Sequence, residues 1–137
     1  LAGIYGPGRN AFKSLHSGRA HCVVKEGQTF GRIHQFDICA TLWAAMTSPH
    51  KGGIFNVADD FPCAPHIVVE AAAKILSIAP PPRVAFEDAT LSDMARSFFQ
   101  ENKKVRNEKI KSELGVQLKY PTYKQGLAAL YETEGKS

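Results

Sequence analysis

No long apolar run occurs in this chain. Its longest apolar stretches fall far short of the ~20 consecutive residues that span a bilayer, and no basic-then-apolar leader opens the sequence. We therefore expect no membrane segment and no retained secretion signal, and the simplest location is the cytoplasm. With 44% hydrophobic and 22% charged residues, the composition is typical of a globular protein with one modest core.

Cysteine is scarce and follows no ligand pattern. Cys22, Cys39 and Cys63 are odd in number, widely spaced and without a C-x-x-C pair. This spacing argues against a disulfide framework and against a structural zinc site. The five histidines contain neither H-x-x-x-H nor H-E-x-x-H, so we predict no metal site. The three thiols are interpreted as reduced and buried.

Acidic residues are outnumbered by basic ones, 13 to 17, which gives a net charge of +4. Much of the excess lies in one basic stretch: Lys103, Lys104, Arg106, Lys109 and Lys111. Glutamates are interleaved with these cations at helical spacing, and no aromatic residue alternates with them. Such a pattern indicates a solvated helix face, so we predict no nucleic-acid binding.

The chain alternates between strand and helix patterns, separated near its middle by the prolines at 80–82. Strands are predicted at 1–5, 21–25, 29–34, 54–58 and 84–86. Helices are predicted at 11–16, from a cap at Asp37 to Pro49, from Pro65 to Leu76, after a capping box at Thr90 to Asp93, at 107–114 before Gly115, and from a capping box at Thr122 and Gln125 to 132. Strand-then-helix units in series predict an α/β fold.

A glycine-rich loop allows two interpretations. Gly6 to Ala11 satisfies the pattern G-x-G-x-x-G/A of a dinucleotide loop, and Glu26 lies 20 residues beyond Gly6. However, Pro7 removes a backbone N–H that a diphosphate would need, and Gly18 limits the next helix to about two turns. We therefore favour a tight turn over a diphosphate loop.

Tyr120 and Lys124 have the Y-x-x-x-K spacing that can place an acid/base tyrosine beside a lysine. Pro121 pushes the preceding residue out of the helical region, so the two side chains would not stack one turn apart. Packing is the favoured interpretation of this pair. The serines have no nucleophile-elbow context either, and we predict no catalytic residue within this chain.

Five segments together resemble a known family. They are LAGIYGPGRN at 1–10, RIHQFDI at 32–38, IFNVAD at 54–59, NEKIKSELG at 107–115 and YPTYKQGL at 120–127. In this order they resemble the second half of extended short-chain dehydrogenases, the NAD-dependent epimerase/dehydratase family. Gln35 and Phe36 stand where the family motif has Val-Asp, which leaves Asp37 as the expected helix cap.

The resemblance implies an α/β fold that forms the C-terminal part of a Rossmann-like enzyme, with the N-terminal nucleotide-binding half missing. Residues 1–137 would then be a single substrate-binding portion. NAD or NADP would bind to the full-length parent, and none is expected to bind tightly to this chain alone. By the same resemblance, Leu1, Ala2 and Gly3 would lie beside the nicotinamide, whereas Arg9, Asn10, Arg32 and His34 would face the substrate.

The chemistry of these side chains suits an anionic ligand. Guanidinium groups donate in pairs to phosphate or carboxylate, and an amide can both donate to and accept from a hydroxyl. Other roles are open, since Arg9 and Arg32 could simply be solvated. His34 could be a buried histidine that fixes a strand-to-helix turn.

Two functions follow as hypotheses. The first is the substrate-binding part of an NAD(P)-dependent epimerase, dehydratase or reductase that acts on a nucleotide sugar or a similar anionic carbinol. The alternative is a stand-alone noncatalytic module for binding or oligomerisation. The expected partners are a small-molecule substrate and either the missing N-terminal half or another copy. We expect self-association because uncovered strand edges and apolar faces favour pairing.

Overall fold

The computed structural model describes residues 1–49, 52–100 and 105–135. The strands are β1 (Gly3–Tyr5), β2 (Cys22–Val24), β3 (Arg32–His34) and β4 (Arg83–Ala85). The helices are α1 (Ala11–His16), α2 (Gln35–Thr47), α3 (Pro65–Ile75), α4 (Asp93–Gln100), α5 (Glu108–Leu114) and α6 (Tyr123–Leu130), with a 3₁₀ turn at Phe86–Asp88 and a π-helical turn at Tyr131–Gly135. Lys103 and Lys104 of the basic stretch lie outside the described residues.

The strands pair in parallel. β1 lies beside β3 with Tyr5 opposite His34, and β2 lies beside β4 with Val23 opposite Val84. Within the described ranges each sheet has two strands. Because parallel strands end at the same edge of a sheet, the loop after β1 and the start of α2 after β3 are neighbours.

Several local signals are confirmed. Helix α1 has the predicted bounds, and Pro65 occupies the first turn of α3. Thr122 and Gln125 form the predicted capping box, with the Thr122 side chain accepting from the backbone N–H of Lys124. Gly115 ends α5 with φ of +68°, a left-handed conformation that favours glycine.

Two predicted caps are wrong. Helix α2 begins at Gln35, and His34 rather than Asp37 caps it, because its Nδ1 accepts from the backbone N–H of Phe36 at 3.0 Å. Helix α4 begins after Ser92, whose Oγ accepts from the backbone N–H of Ala95 at 3.1 Å, so Thr90 is not the cap. In both cases a side chain nearer the helix start takes the free N–H groups.

The strand predicted at 54–58 is not formed in the described structure. Two backbone hydrogen bonds join the end of this segment to its neighbours: Ala2 donates to the carbonyl of Val57 at 3.0 Å, and Asp59 donates to that of Arg32 at 2.7 Å. Ile54 is 86% exposed, so the start of this apolar run has little to pack against. The strand predicted at 29–34 is also shorter, because Phe30 instead forms an antiparallel bridge with Cys63.

A buried cluster joins α1, α3 and α6. It contains Phe12, Cys63, Ala72, Tyr123, Leu127 and Leu130. All three cysteines are described as free thiols; Cys22 and Cys63 are buried as predicted, whereas Cys39 on α2 is exposed, which corrects the prediction for that thiol. None of the described helices is both long and apolar enough to cross a membrane.

Candidate functional site

A cleft of about 580 Å³ opens beside β1 and β3. Its apolar wall includes the side chains of Phe30, Phe98, Phe99, Val105 and Leu127. An edge-to-face ring contact helps to hold this wall, since the ring centroids of Phe99 and Phe30 lie 5.2 Å apart. A cleft with a mainly apolar wall and a few polar groups is typical of a small-molecule site.

The structure brings five of the seven predicted site residues to this cleft. Leu1, Ala2, Gly3, Arg9 and Arg32 all line it. They meet there because β1 and β3 pair in parallel with Gly3 opposite Arg32, while Arg9 follows β1 by a short turn. Asn10 and His34, by contrast, do not line the cleft.

Arg32 is oriented by the chain around it. Its guanidinium donates to the Phe30 carbonyl at 3.3 Å, and it contacts both Sγ and the carbonyl oxygen of Cys63, at 3.1 and 3.4 Å. Arg9 is exposed at the end of the turn that follows β1. Among the ion pairs of the described residues, none includes Arg9 or Arg32. Arg32 lies near enough to Asp59 to lower the pKa of that carboxyl, against the larger effect of burial.

Asn10 uses its side chain to build the loop. Its Oδ1 accepts from the backbone N–H of Lys13 at 3.1 Å and caps α1. Its Nδ2 donates to the carbonyl of Gly6 at 2.9 Å and to the carboxylate of Glu134 at 2.6 Å. Because both polar atoms are engaged within the chain, Asn10 contributes to the site by fixing the turn.

The glycine-rich loop is a tight turn. Gly6 and Arg9 exchange two backbone hydrogen bonds, at 2.9 and 3.0 Å, and the N–H of Gly8 donates to Glu134 at 2.8 Å. The backbone N–H groups of Gly6, Gly8 and Arg9 are therefore engaged within the chain, Pro7 has none, and a carboxylate of the chain itself accepts from Gly8. These residues do not fit the diphosphate of a dinucleotide.

His34 is buried and acts as a helix cap. Its ring centroid lies 4.1 Å from that of Tyr120 and 5.1 Å from that of Tyr5. Burial lowers the pKa of His34, Lys119 lowers it further and Asp37 opposes both. The neutral ring can accept from the N–H of Phe36, which agrees with the structural alternative for this histidine.

Asp37 connects the start of α2 to a distant segment. It is fully buried, and its two oxygens accept from the backbone N–H groups of Lys119 at 2.8 Å and Tyr120 at 3.0 Å. Tyr120 is thereby held outside α6, which begins at Tyr123, so it does not stack over Lys124 one helical turn away. No local pattern indicated this contact, because the partners lie 82 and 83 residues apart.

Asp59 and Tyr5 carry buried polar atoms that no sequence pattern indicated. Oδ1 of Asp59 accepts from the N–H of Phe61 at 3.1 Å. Oδ2 of Asp59 and the hydroxyl of Tyr5 are buried without a hydrogen-bond partner in the part of the chain that the structure describes. Burial raises the pKa of Asp59 to about 6, and burial together with Asp59 raises the pKa of Tyr5.

Asp59→Asn is expected to stabilise the chain above about pH 6. The pKa of Asp59 rises from 3.8 to about 6 on folding. The folded state therefore prefers the protonated carboxyl, and the free energy of unfolding falls as pH rises from about 4 through 6. The variant should gain about 2 kcal/mol in free energy of unfolding at about pH 8 and nothing below about pH 4. Urea unfolding at both pH values measures this.

Asp60→Asn is the matched control for that prediction. Burial opposes the ionisation of Asp60, but hydrogen bonds from Asn107 and Lys111 outweigh it and hold the pKa of Asp60 below its usual range. This variant should therefore lose stability at neutral pH. If Asp59→Asn were less stable than the unaltered chain at about pH 8, our account of the buried carboxyl would be wrong.

A second cleft, of about 460 Å³, lies between α5 and the segment that leads to α6. Asp60, Lys111, Leu118 and Pro121 are among its lining residues, and Asp60 and Lys111 are paired with each other. Among the described residues, no group of three or more His, Cys, Asp or Glu side chains is placed to hold a metal ion. Because the charged side chains Asp60 and Lys111 of the second cleft are paired with each other, the cleft beside β1 and β3 is the stronger candidate for a ligand site.

Comparison with solved structures identifies the fold. A conserved protein of unknown function from Silicibacter pomeroyi DSS matches with a TM-score of 0.92 and 51% identity, over 96% of this chain and 47% of its own. The human epimerase family protein SDR39U1, with NADPH, matches with a TM-score of 0.79 and 17% identity, over 96% of this chain and 46% of its own. The fold is the Rossmann-like fold of short-chain dehydrogenases.

A further match with this fold is dTDP-glucose 4,6-dehydratase from Bacillus anthracis in complex with NAD. Its TM-score is 0.68 at 19% identity, over 98% of this chain and 44% of its own. The predicted α/β, Rossmann-like fold class is thus confirmed. The chain spans about half the length of each of these structures. No protein-family model matches the sequence, and no curated protein matches it either.

Proposed function

We propose that this chain is the substrate-binding part of an NAD(P)-dependent epimerase, dehydratase or reductase. The substrate would be a nucleotide sugar or a similar anionic carbinol. The observation that carries the proposal is the cleft in which Arg9 and Arg32 face the same space as the start of β1. The similarity to a dehydratase of dTDP-glucose, a nucleotide sugar, supports the same substrate class.

The two arginines would bind the anionic part of the substrate. Each guanidinium can donate two parallel hydrogen bonds to a phosphate, and such charge-assisted bonds are stronger than neutral ones. Arg32 is already oriented by Phe30 and Cys63, so less side-chain entropy is lost when it binds. The phenyl rings of the apolar wall would pack against the base or the sugar.

The cofactor NAD or NADP would bind mainly to polypeptide outside this chain. Leu1, Ala2 and Gly3 offer it an apolar surface, but the N–H groups of Ala2 and Gly3 already donate to Val57 and to Gly31. We assign no catalytic residue to this chain, and residues 1–137 as a whole would serve as one substrate-binding portion. We further propose that the protein is cytoplasmic.

The alternative is a noncatalytic module for binding or oligomerisation. One observation favours it: α2 exposes large apolar side chains, of which Met46 is 73% and Trp43 67% exposed. A module of this kind would bind a protein partner through α2 and would need no ligand in the cleft. Ligand binding therefore separates the two candidates.

Calorimetric titration of the chain with UDP-glucose tests the proposal. We expect weak binding that Arg32→Gln reduces roughly 10- to 100-fold, because a charge-assisted hydrogen bond contributes ~1.5–3 kcal/mol. Arg9→Gln should reduce binding less, since Arg9 is exposed. Arg32→Lys keeps the charge but not the paired donors and should give an intermediate loss.

Arg106→Gln is the matched control. Arg106 is exposed, pairs with Glu108 at 3.8 Å and does not line the cleft. It should leave the affinity unchanged. Equal losses for Arg106→Gln and Arg32→Gln would indicate nonspecific attraction, and an absence of binding at millimolar UDP-glucose would contradict the proposal.

A further inference from the structure

The turn at 6–10, between β1 and α1, is attached to the π-helical turn at Tyr131–Gly135. The N–H of Gly8 donates to Oε1 of Glu134 at 2.8 Å, and Nδ2 of Asn10 donates to Oε2 of Glu134 at 2.6 Å. The two contacts span 126 and 124 residues of sequence. One carboxylate therefore accepts from the residue on each side of Arg9, whose side chain lines the cleft beside β1 and β3.

The π-helical turn that carries Glu134 is itself anchored to the core. The ring centroid of Tyr131 lies 6.1 Å from that of Phe12 in α1, and Tyr131 packs against the buried cluster that contains Phe12. Glu134 is half-buried rather than fully exposed. Its carboxylate therefore reaches the turn at 6–10 from a fixed position, and less side-chain entropy opposes the contact than for a surface glutamate.

The composition of the turn at 6–10 explains why it needs an outside contact. Gly8 has φ of +78°, a left-handed conformation that favours glycine, and glycine loses more conformational entropy on ordering than other residues do. The two backbone hydrogen bonds between Gly6 and Arg9 close the turn, but they do not attach it to another element. The side chain of Gln35 donates to the carbonyl of Pro7 at 3.4 Å, which is a long bond at an exposed position.

Glu134 also determines which way the amide of Asn10 points. A carboxylate only accepts hydrogen bonds, so it faces the NH₂ group of Asn10 and leaves Oδ1 toward the backbone N–H of Lys13. The same NH₂ group donates to the carbonyl of Gly6 at 2.9 Å. The carboxylate of Glu134 thus supports the turn at Gly8 and, through Asn10, the start of α1.

We propose that Glu134 is a positioning residue for the anionic ligand of the cleft: its carboxylate holds the turn at 6–10 in the orientation that directs Arg9 into the cleft. Glu134 is not among the described residues that line the cleft, so it acts through Arg9. This inference rests on the proposed function, in which Arg9 binds the anionic part of the substrate.

Calorimetric titration of Glu134→Gln with UDP-glucose gives a result whose sign decides the role. Glutamine replaces one carboxylate oxygen by an NH₂ group, which cannot accept from Asn10. Positioning predicts that binding weakens about threefold, close to the loss for Arg9→Gln. Charge alone predicts the opposite, because removal of a negative charge beside Arg9 favours an anion. Tighter binding would make Glu134 a competitor of the ligand and would overturn the proposal.

A double-mutant cycle tests whether the effect passes through Arg9. In an Arg9→Gln background, Glu134→Gln should cause no further loss of affinity, and an equal loss in both backgrounds would contradict the proposal. Glu134→Asp keeps a carboxylate and should retain part of the affinity. Glu108→Gln is the matched control, because it removes the same charge from an exposed position of α5 away from the cleft, and it should leave binding unchanged.

Amide NMR of the ligand-free chain tests the contact without UDP-glucose. We expect hydrogen exchange at the N–H of Gly8 to become about tenfold faster in Glu134→Gln, with shift changes confined to the turn at 6–10 and the first turn of α1. Unchanged exchange at Gly8, or changes throughout the chain, would show that Glu134 does not hold this turn. Failure of the unaltered chain to bind UDP-glucose would instead count against the proposed function, so the two failures are distinguishable.

Discussion

Replacing Asp37 by alanine is expected to lower the free energy of unfolding by about 4 kcal/mol. The substitution removes two charge-assisted hydrogen bonds and leaves the backbone N–H groups of Lys119 and Tyr120 without their acceptor. It also removes a negative charge from the first turn of α2, where the helix dipole favours one. Chemical denaturation of the purified variant measures the loss.

Asp93→Ala is the control for this prediction. Asp93 also occupies the first turn of a helix, α4, but it is exposed, so its removal should lower stability by less than about 1 kcal/mol. A loss below about 1 kcal/mol for Asp37→Ala as well would contradict the role of Asp37 as the connection between α2 and the segment before α6.

Gly126→Ala is expected to destabilise the chain by roughly 3 kcal/mol, although the same change in an ordinary helix interior stabilises by ~1 kcal/mol. Gly126 lies in α6 against β1. A Cβ atom there would lie 2.1 Å from the hydroxyl oxygen of Tyr5 and 2.6 Å from its ring. Tyr5 is packed against the core cluster, so the clash must be relieved by displacing its ring from that packing or by moving β1 or α6.

A double-mutant cycle identifies the cause of that loss. In a Tyr5→Ala background the clash is absent, so Gly126→Ala should become neutral or stabilising. Ala128→Gly, at an exposed position of the same helix, measures the ordinary propensity difference of about 1 kcal/mol. If Gly126→Ala destabilised equally in both backgrounds, contact with Tyr5 would not be the reason.

The elements predicted best from the sequence are those whose determinants are local. Helix α1 and the capping box of α6 depend on residues within a few positions of one another, and both have the predicted form. The run at 54–58 has a strand composition, but a strand also needs a neighbour, and Ile54 is exposed. Composition alone therefore did not determine the structure of that run.

The candidate site shows the same difference between local determinants and contacts with distant parts of the chain. Arg9 and Arg32 were predicted as site residues and lie at one cleft because β1 pairs with β3. Asn10 caps α1 through a local bond to Lys13, but its contact with Glu134 spans 124 residues, and the contact of Asp37 with Lys119 spans 82. No periodicity or short motif reveals such contacts, so a polar residue that builds the site is easily taken for one that faces the ligand.

The central claim is that the cleft beside β1 and β3 binds the substrate. Two-dimensional amide NMR of the isotope-labelled chain, titrated with UDP-glucose, tests it most directly. We expect the largest shift changes at Gly3, Arg9 and Arg32, with little change near Lys111 and Leu118 in the second cleft. Changes confined to the second cleft, or no changes at millimolar ligand, would contradict the account.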